Sequence, residues 1–302
     1  MTTLSPYIAH TVCGLIAIAD LATRGLRLSL LARCTGQRLS SRDAFLSIVW
    51  ADAASGVTPM RVGGEPAKLG GLLRAGLLLG PSLVVLGLEM VVTYPWVVLL
   101  GGWLLWHFAP EWWAQTGPGL APLLRTSGPW IIVVIALSVG SLWLWWRYRH
   151  RPGARGAGLR SHEVVGRISL REVWQGVRWG GVLLVSPLSL VNIVGRTAIL
   201  PLLAMTLPDH ASQGVLWVGS FALLYSQLVL PTPAGAGPVE LGFFAGAAGN
   251  LGPEAAVLLV AWRFYTVGLG VILGAWAAVR VLGWRAVSGW VRHPGAAPSP
   301  PA

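Results

Sequence analysis

Long apolar runs, separated by short polar breaks rich in arginine, recur from one end of the chain to the other. A helix needs about 20 predominantly apolar residues to cross the ~30 Å hydrocarbon core of a bilayer. The pattern predicts a first helix over about Tyr7–Leu31, carrying Asp20, Arg24 and Arg27 in its second half, and then a short apolar helix over Asp43–Gly56. About 14 residues at 1.5 Å each reach only ~21 Å, too short to span. That helix runs straight into Thr58-Pro59-Met60-Arg61-Val62-Gly63-Gly64-Glu65-Pro66, as a broken helix ending in a Pro/Gly loop at membrane depth would. Further helices are expected over Leu72–Val92, over Trp96–Phe108 (short, interrupted by Gly101-Gly102), over Pro129–Trp146, over Val173–Leu207 with kinks at Pro187 and Pro201, and over Ala255–Val279. Between the last two lies a second short helix, Leu216–Leu230, which runs into Pro231-Thr232-Pro233-Ala234-Gly235-Ala236-Gly237-Pro238-Val239-Glu240. The expectation is an all-α integral membrane protein with about six to eight inserted segments.

Composition supports that class. Of 302 residues, 54% are hydrophobic and 11% charged, against about 25% charged in a soluble domain. The net charge of +11 would suggest nucleic acid in a soluble chain, but no nucleic-acid motif accompanies it. The cations fall between apolar runs, as the positive-inside rule expects. Arg33, Arg38 and Arg42 follow the first helix, arginines from Arg147 to Arg171 fill one loop, and Arg280, Arg285 and Arg292 close the last span. The N-terminus is therefore expected outside the cell membrane and the C-terminus in the cytoplasm. No basic residue precedes the first apolar run, so it reads as a retained span rather than a cleaved signal. Two cysteines and six scattered histidines show no metal or disulfide spacing, and no cofactor is expected. The Gly176/Gly180, Gly242/Gly246 and Gly270/Gly274 pairs fit small-xxx-small helix packing.

Two stretches share one plan: an arginine on a helix, a short helix, then Thr-Pro, two glycines and Glu. Arg24 to Thr58 is 34 positions and Arg196 to Thr232 is 36. The flanking charges give the two arginine-bearing helices opposite directions, which predicts two inverted repeats, about 4–110 and 173–283. A span and a basic cytoplasmic loop, 147–172, join them within one transmembrane domain (1–293), followed by a disordered tail (294–302).

With these two Pro/Gly motifs, and with Arg263-Phe264-Tyr265-Thr266 followed by Gly268 and Gly274, the chain resembles the lysylphosphatidylglycerol synthase transmembrane, or flippase-like, family over roughly Leu4–Leu282. Ala234 stands where a glycine is common in that family. The resemblance implies a membrane-embedded lipid translocase for modified phospholipids or glycolipids. Two-domain members add a soluble aminoacyltransferase, which has no counterpart here, so synthase activity is not expected.

A charged side chain deep in a bilayer costs about 2.5–3.5 kcal/mol on insertion scales and marks a candidate site. Arg24, Arg27, Arg61, Lys68, Arg196 and Arg263 are candidate phosphate ligands, because a guanidinium fork matches phosphate oxygens. Alternatively, Arg24, Arg27 and Lys68 are interfacial side chains, and Arg196 and Arg263 are members of structural ion pairs. Glu65 and Glu240 contact a cationic headgroup or a coupling proton, or else they cap the helices that follow, or pair with Arg196 or Arg263 to hold the fold. Asp52 lines the cavity or faces a helix partner. Gly63, Gly64, Gly235 and Gly237, beside Thr58, Thr232 and Pro233, permit sharp turns and offer amides to an anion, or simply let the loops fold back.

The expected function is translocation of a polar-headgroup lipid between leaflets, with membrane lipids as partners: anionic or aminoacylated phospholipid, or glycolipid. A homo-oligomer is compatible with the sequence. The rivals are an integral membrane enzyme acting on a lipid headgroup, for which no nucleophile or metal arrangement is visible, and a non-catalytic scaffold, which has no need of charges in both halves. A cysteine introduced at Gly158 is expected to resist a membrane-impermeant reagent added to intact cells; strong labelling from outside would reverse the orientation.

Overall fold

The computed structural model describes residues 4–149, 170–207, 212–228, 230, 232–251 and 254–283. Among them every regular element is a helix. Helix α1 is Pro6–Cys34, with proline in its first turn, where the missing N–H costs nothing. Helix α2, Ser41–Val57, starts at a Ser40 cap: the Ser40 side chain accepts from the Asp43 amide at 3.1 Å and donates to Asp43 Oδ2 at 2.6 Å. It ends at Thr58-Pro59, and α3, Gly64–Arg74, runs back along it. The return is close because glycines face serines: a Cβ on Gly71 would lie 2.8 Å from the Ser47 Cβ. At 17 and 11 residues, both limbs are shorter than the ~20 residues of a span.

Helix α4 is Leu79–Arg149, and it corrects three expectations at once. Leu72–Val92 is not one span: Leu72 closes α3, and Gly76 at φ 88 turns the chain out before α4 begins. Trp96–Phe108 and Pro129–Trp146 are not separate segments but parts of α4, which contains Pro95, Pro110, Pro118, Pro122 and Pro129 without a break. Each proline removes one hydrogen bond, and the ladder on either side continues. Val173–Leu207 divides into α5 (Leu170–Gln175) and α6 (Trp179–Ala204), with Pro187 and Pro201 inside α6. Then follow α7 (Gln213–Ser226), α8 (Pro238–Leu251) and α9 (Ala255–Arg263). A π-helical turn, Phe264–Gly268, joins α9 to α10 (Leu269–Leu282). Most of the arginine-rich loop, Pro231, Asp209, His210, Arg285, Arg292 and the tail 294–302 lie outside the described residues.

Among the described residues, three helical stretches are long and apolar enough to cross a membrane: Leu79–Pro122, Trp179–Ala204 and Ala255–Val281. Helix α1 links two apolar clusters. Its Leu28 and Leu31 pack with Ile48, Leu72 and Leu88, while its Cys13 joins Ile199, Leu203, Phe243 and Trp262. The glycines of α10 seat it on α2: a Cβ on Gly270 would come 2.9 Å from the Asp52 Cβ, and one on Gly274 would meet the Val49 carbonyl. Of the small-residue pairs, Gly270/Gly274 makes such a contact, whereas Gly180 and Gly242 face open space. Gly274→Ala is therefore expected to lower stability by about 1–3 kcal/mol through overpacking. Gly242→Ala should change it by less than about 0.5 kcal/mol. Thermal unfolding of the detergent-solubilised protein measures both.

Candidate functional site

A cavity of about 450 Å³ opens among α1, α2, α3, α4, α6, α7 and the first Pro/Gly loop. Four carboxylates and five cations line it: Asp20, Asp52, Glu65 and Glu89 against Arg24, Arg27, Arg61, Lys68 and Arg196. Eight of these nine groups fall into two networks.

In the first, Arg24 forms a fork on Asp52, with Nη1 to Oδ1 at 2.9 Å and Nη2 to Oδ2 at 2.5 Å, while its Nε lies 3.0 Å from Asp20 Oδ2. Arg196 approaches the same Asp20 oxygen at 4.0 Å and donates from Nη2 to the Thr266 carbonyl at 2.7 Å. That carbonyl belongs to the π-helical turn, where widened hydrogen bonding makes backbone oxygens available to side chains.

In the second network, Glu89 receives Arg27 Nη2 on one oxygen at 2.6 Å and Lys68 Nζ on the other at 2.9 Å. Lys68 also meets Glu65 at 2.9 Å, and Arg27 donates to Ser189 Oγ at 2.9 Å. Asn192 joins this network to α1 through Arg27 and Thr23. Arg27, Lys68 and Glu89 are buried. Ion pairs in such surroundings are held only where the remaining hydrogen-bonding groups are satisfied.

Arg61 is the ninth group. Among the described residues it pairs with no carboxylate and donates from Nη1 to Gln227 Oε1 at 3.1 Å. It stands at the tip of the first loop, where that loop meets the second: Pro59 and Pro233 form an antiparallel bridge.

The two loops have the same backbone. Met60 and Arg61 have φ 51 and 57, and Ala234 and Gly235, at the same offsets from Thr-Pro, have φ 48 and 70. The Val62 amide donates to the Pro59 carbonyl at 3.2 Å, and the Ala236 amide to the Pro233 carbonyl at 2.8 Å. Both are turns of the type with two left-handed central residues.

The second loop is clamped rather than open. Glu240 accepts the Gly237 amide at 2.6 Å and pairs with Arg263 at 2.6 Å. Arg263 in turn donates to the Ala234 carbonyl at 2.7 Å. Gly63 and Gly64 serve close approach, since a Cβ on Gly63 would lie 2.7 Å from Thr58 Cγ2, whereas Gly235 and Gly237 supply positive φ. Their amides are occupied within the loops. Gly63 donates to Thr58 Oγ1 at 2.9 Å, Gly64 to the Arg61 carbonyl at 3.2 Å and Gly235 to the Thr232 carbonyl at 3.0 Å.

The structure thus gathers Arg24, Arg27, Arg61, Gly64, Glu65, Lys68 and Arg196 at the cavity, and Asp52 with them. Thr58 and Gly63 shape the first loop behind it. Thr232, Pro233, Gly235, Gly237, Glu240 and Arg263 form the second loop and its clamp, and the cavity wall does not include them. Sequence reasoning missed Glu89. The signal was present, a lone carboxylate within an apolar span, as were Ser189 and Gln227, whose partners lie 162 and 166 positions away.

Residues 2–274 match the family described as lysylphosphatidylglycerol synthase TM region. No curated protein matches the chain.

Glu89→Gln leaves buried Arg27 without a carboxylate and Lys68 with Glu65 alone, and is expected to cost about 3–5 kcal/mol. Glu240→Gln weakens a pair that is one-third exposed on the glutamate side, and about 1–2 kcal/mol is expected. Thermal unfolding of the two variants side by side checks the order.

Proposed function

The chain belongs to the lysylphosphatidylglycerol synthase TM region family, and we propose that it is a membrane lipid translocase. The polar headgroup of a phospholipid or glycolipid passes through the charged cavity while its acyl tails remain in the bilayer. The observation that carries this reading is Arg61, a cation without a carboxylate partner among the described residues, at the point where the two loops meet. Five cations against four carboxylates leave the lining one positive charge in excess, and a phosphodiester supplies one negative charge. A guanidinium binds phosphate oxygens as a planar fork. The cavity volume lies in the usual range for small-molecule sites, roughly 300–1,000 Å³. Glu65, whose side chain is 47% exposed, offers a carboxylate to a headgroup amine. Lipids acting as substrate in this way agree with the family's association with membrane lipids.

The two loops are read as counterparts in inverted repeats. Their shared turn geometry and antiparallel contact support this, as does the re-entrant return of α3 along α2. In such architectures, the halves rock about a site at the repeat interface. The arginine distribution supports a cytoplasmic C-terminus.

The test is translocation of a fluorescent phospholipid in vesicles containing the purified protein. Arg61→Gln should slow it by about tenfold or more, the worth of one hydrogen-bonded charge, with melting behaviour unchanged, and Arg61→Lys should retain part of the rate. Undiminished translocation in Arg61→Gln would remove the reading.

A further inference from the structure

A second basic pocket, of about 590 Å³, lies apart from the cavity, where the end of α1, the 35–40 loop and the start of α2 meet the residue preceding α6. Arg33, Arg38 and Arg178 line it together with Asp43. All three arginines are exposed, and among the described residues none pairs with a carboxylate. The one carboxylate present is taken up by the Ser40 hydroxyl at 2.6 Å. Arg178 is fixed in place: its amide donates to the Cys34 carbonyl at 3.0 Å and its Nη2 to the Arg33 carbonyl at 2.6 Å. Arg33 and Arg178 therefore also complement the negative end of α1. Arg38 has no such task, and its side chain makes no hydrogen bond among the described residues.

The depth of the pocket is marked by Trp174 and Trp179, which flank Arg178 in sequence. Both are exposed, with rings edge-to-face at 5.4 Å. Tryptophan is enriched at the headgroup level of membrane proteins. Basic pockets between helices at this level bind anionic headgroups.

We propose that this pocket is a separate anion site that takes a phosphate group, and that its level at the bilayer boundary suits the phosphodiester of an anionic phospholipid. It holds lipid at the rim and is independent of the translocation path, since none of its lining residues borders the cavity.

The experiment is native mass spectrometry of the full chain in neutral detergent, titrated with phosphatidylglycerol, with phosphatidylcholine as reference, in the presence and absence of inorganic phosphate. One saturable phosphatidylglycerol site should weaken about fivefold in Arg38→Gln and about 30-fold in Arg38→Gln/Arg178→Gln, at the usual worth of an arginine near a charged surface. The same losses should appear on an Arg61→Gln background, which separates this site from the cavity. Displacement by millimolar inorganic phosphate would keep the site and make free phosphate its ligand. Should Arg178→Gln disturb the end of α1, Arg38→Gln alone still decides. Phosphatidylglycerol binding that equals wild type in Arg38→Gln, or that matches phosphatidylcholine, overturns the proposal.

Discussion

Glu89 stands on an apolar helix with Arg27 at 2.6 Å on one carboxylate oxygen and Lys68 at 2.9 Å on the other. None of the three is tolerable alone away from water, where each unpaired ion costs several kcal/mol. Together with Glu65 on Lys68, their pairing balances the charge and joins α1, α3 and α4. The Asp20–Arg24–Asp52–Arg196 network does the same for α1, α2 and α6. Helices too short to span a bilayer are thus tied to longer ones through charge, and the cavity is the space those charges enclose.

The meeting of the two loops imposes a second constraint. Met60 and Arg61 hold left-handed conformations that cost L-residues about 1–2 kcal/mol each. Such conformations persist when the surroundings over-determine them. Here the surroundings are the Thr58 hydroxyl, which bonds the Ala54 carbonyl at 2.7 Å and receives the Gly63 amide, together with the bridge to Pro233. The turn points the Arg61 side chain toward Gln227 rather than toward any of the four carboxylates. Its lone charge is a product of backbone geometry.

Much of this was legible in the sequence. The short helices before each Thr-Pro, the special turns and most of the charged lining announced themselves by length, by proline and glycine, and by charge in apolar runs. Asp52 was seen but left between two roles, and its fork with Arg24 fulfils both, since it lines the cavity and holds a helix. Glu89 escaped because one carboxylate in a long apolar run barely alters the run's hydropathy, and its partners are 62 and 21 positions distant. The continuity of α4 escaped because prolines and paired glycines read as breaks locally, whereas each proline removes a single hydrogen bond and the ladder on either side continues. The division between Glu65, in the cavity wall, and Glu240, in a clamp, depends on which arginine lies within reach, and spacing along the chain does not encode that.

The π-helical turn Phe264–Gly268 has a consequence for how this helix can evolve. A π turn holds one residue more than an α turn over the same rise, so the segment behaves as an accommodated insertion. Removing any one of its residues would restore α geometry while the helix beyond it keeps roughly the face it now presents. Gly270 and Gly274 would stay against Asp52 and Val49. The Thr266 carbonyl would return to the helix ladder and Arg196 would lose its acceptor. The extra residue thus serves the charged network rather than the seating of α10: a single deletion between Arg263 and Leu269 should free Arg196 from the backbone while α10 stays packed on α2.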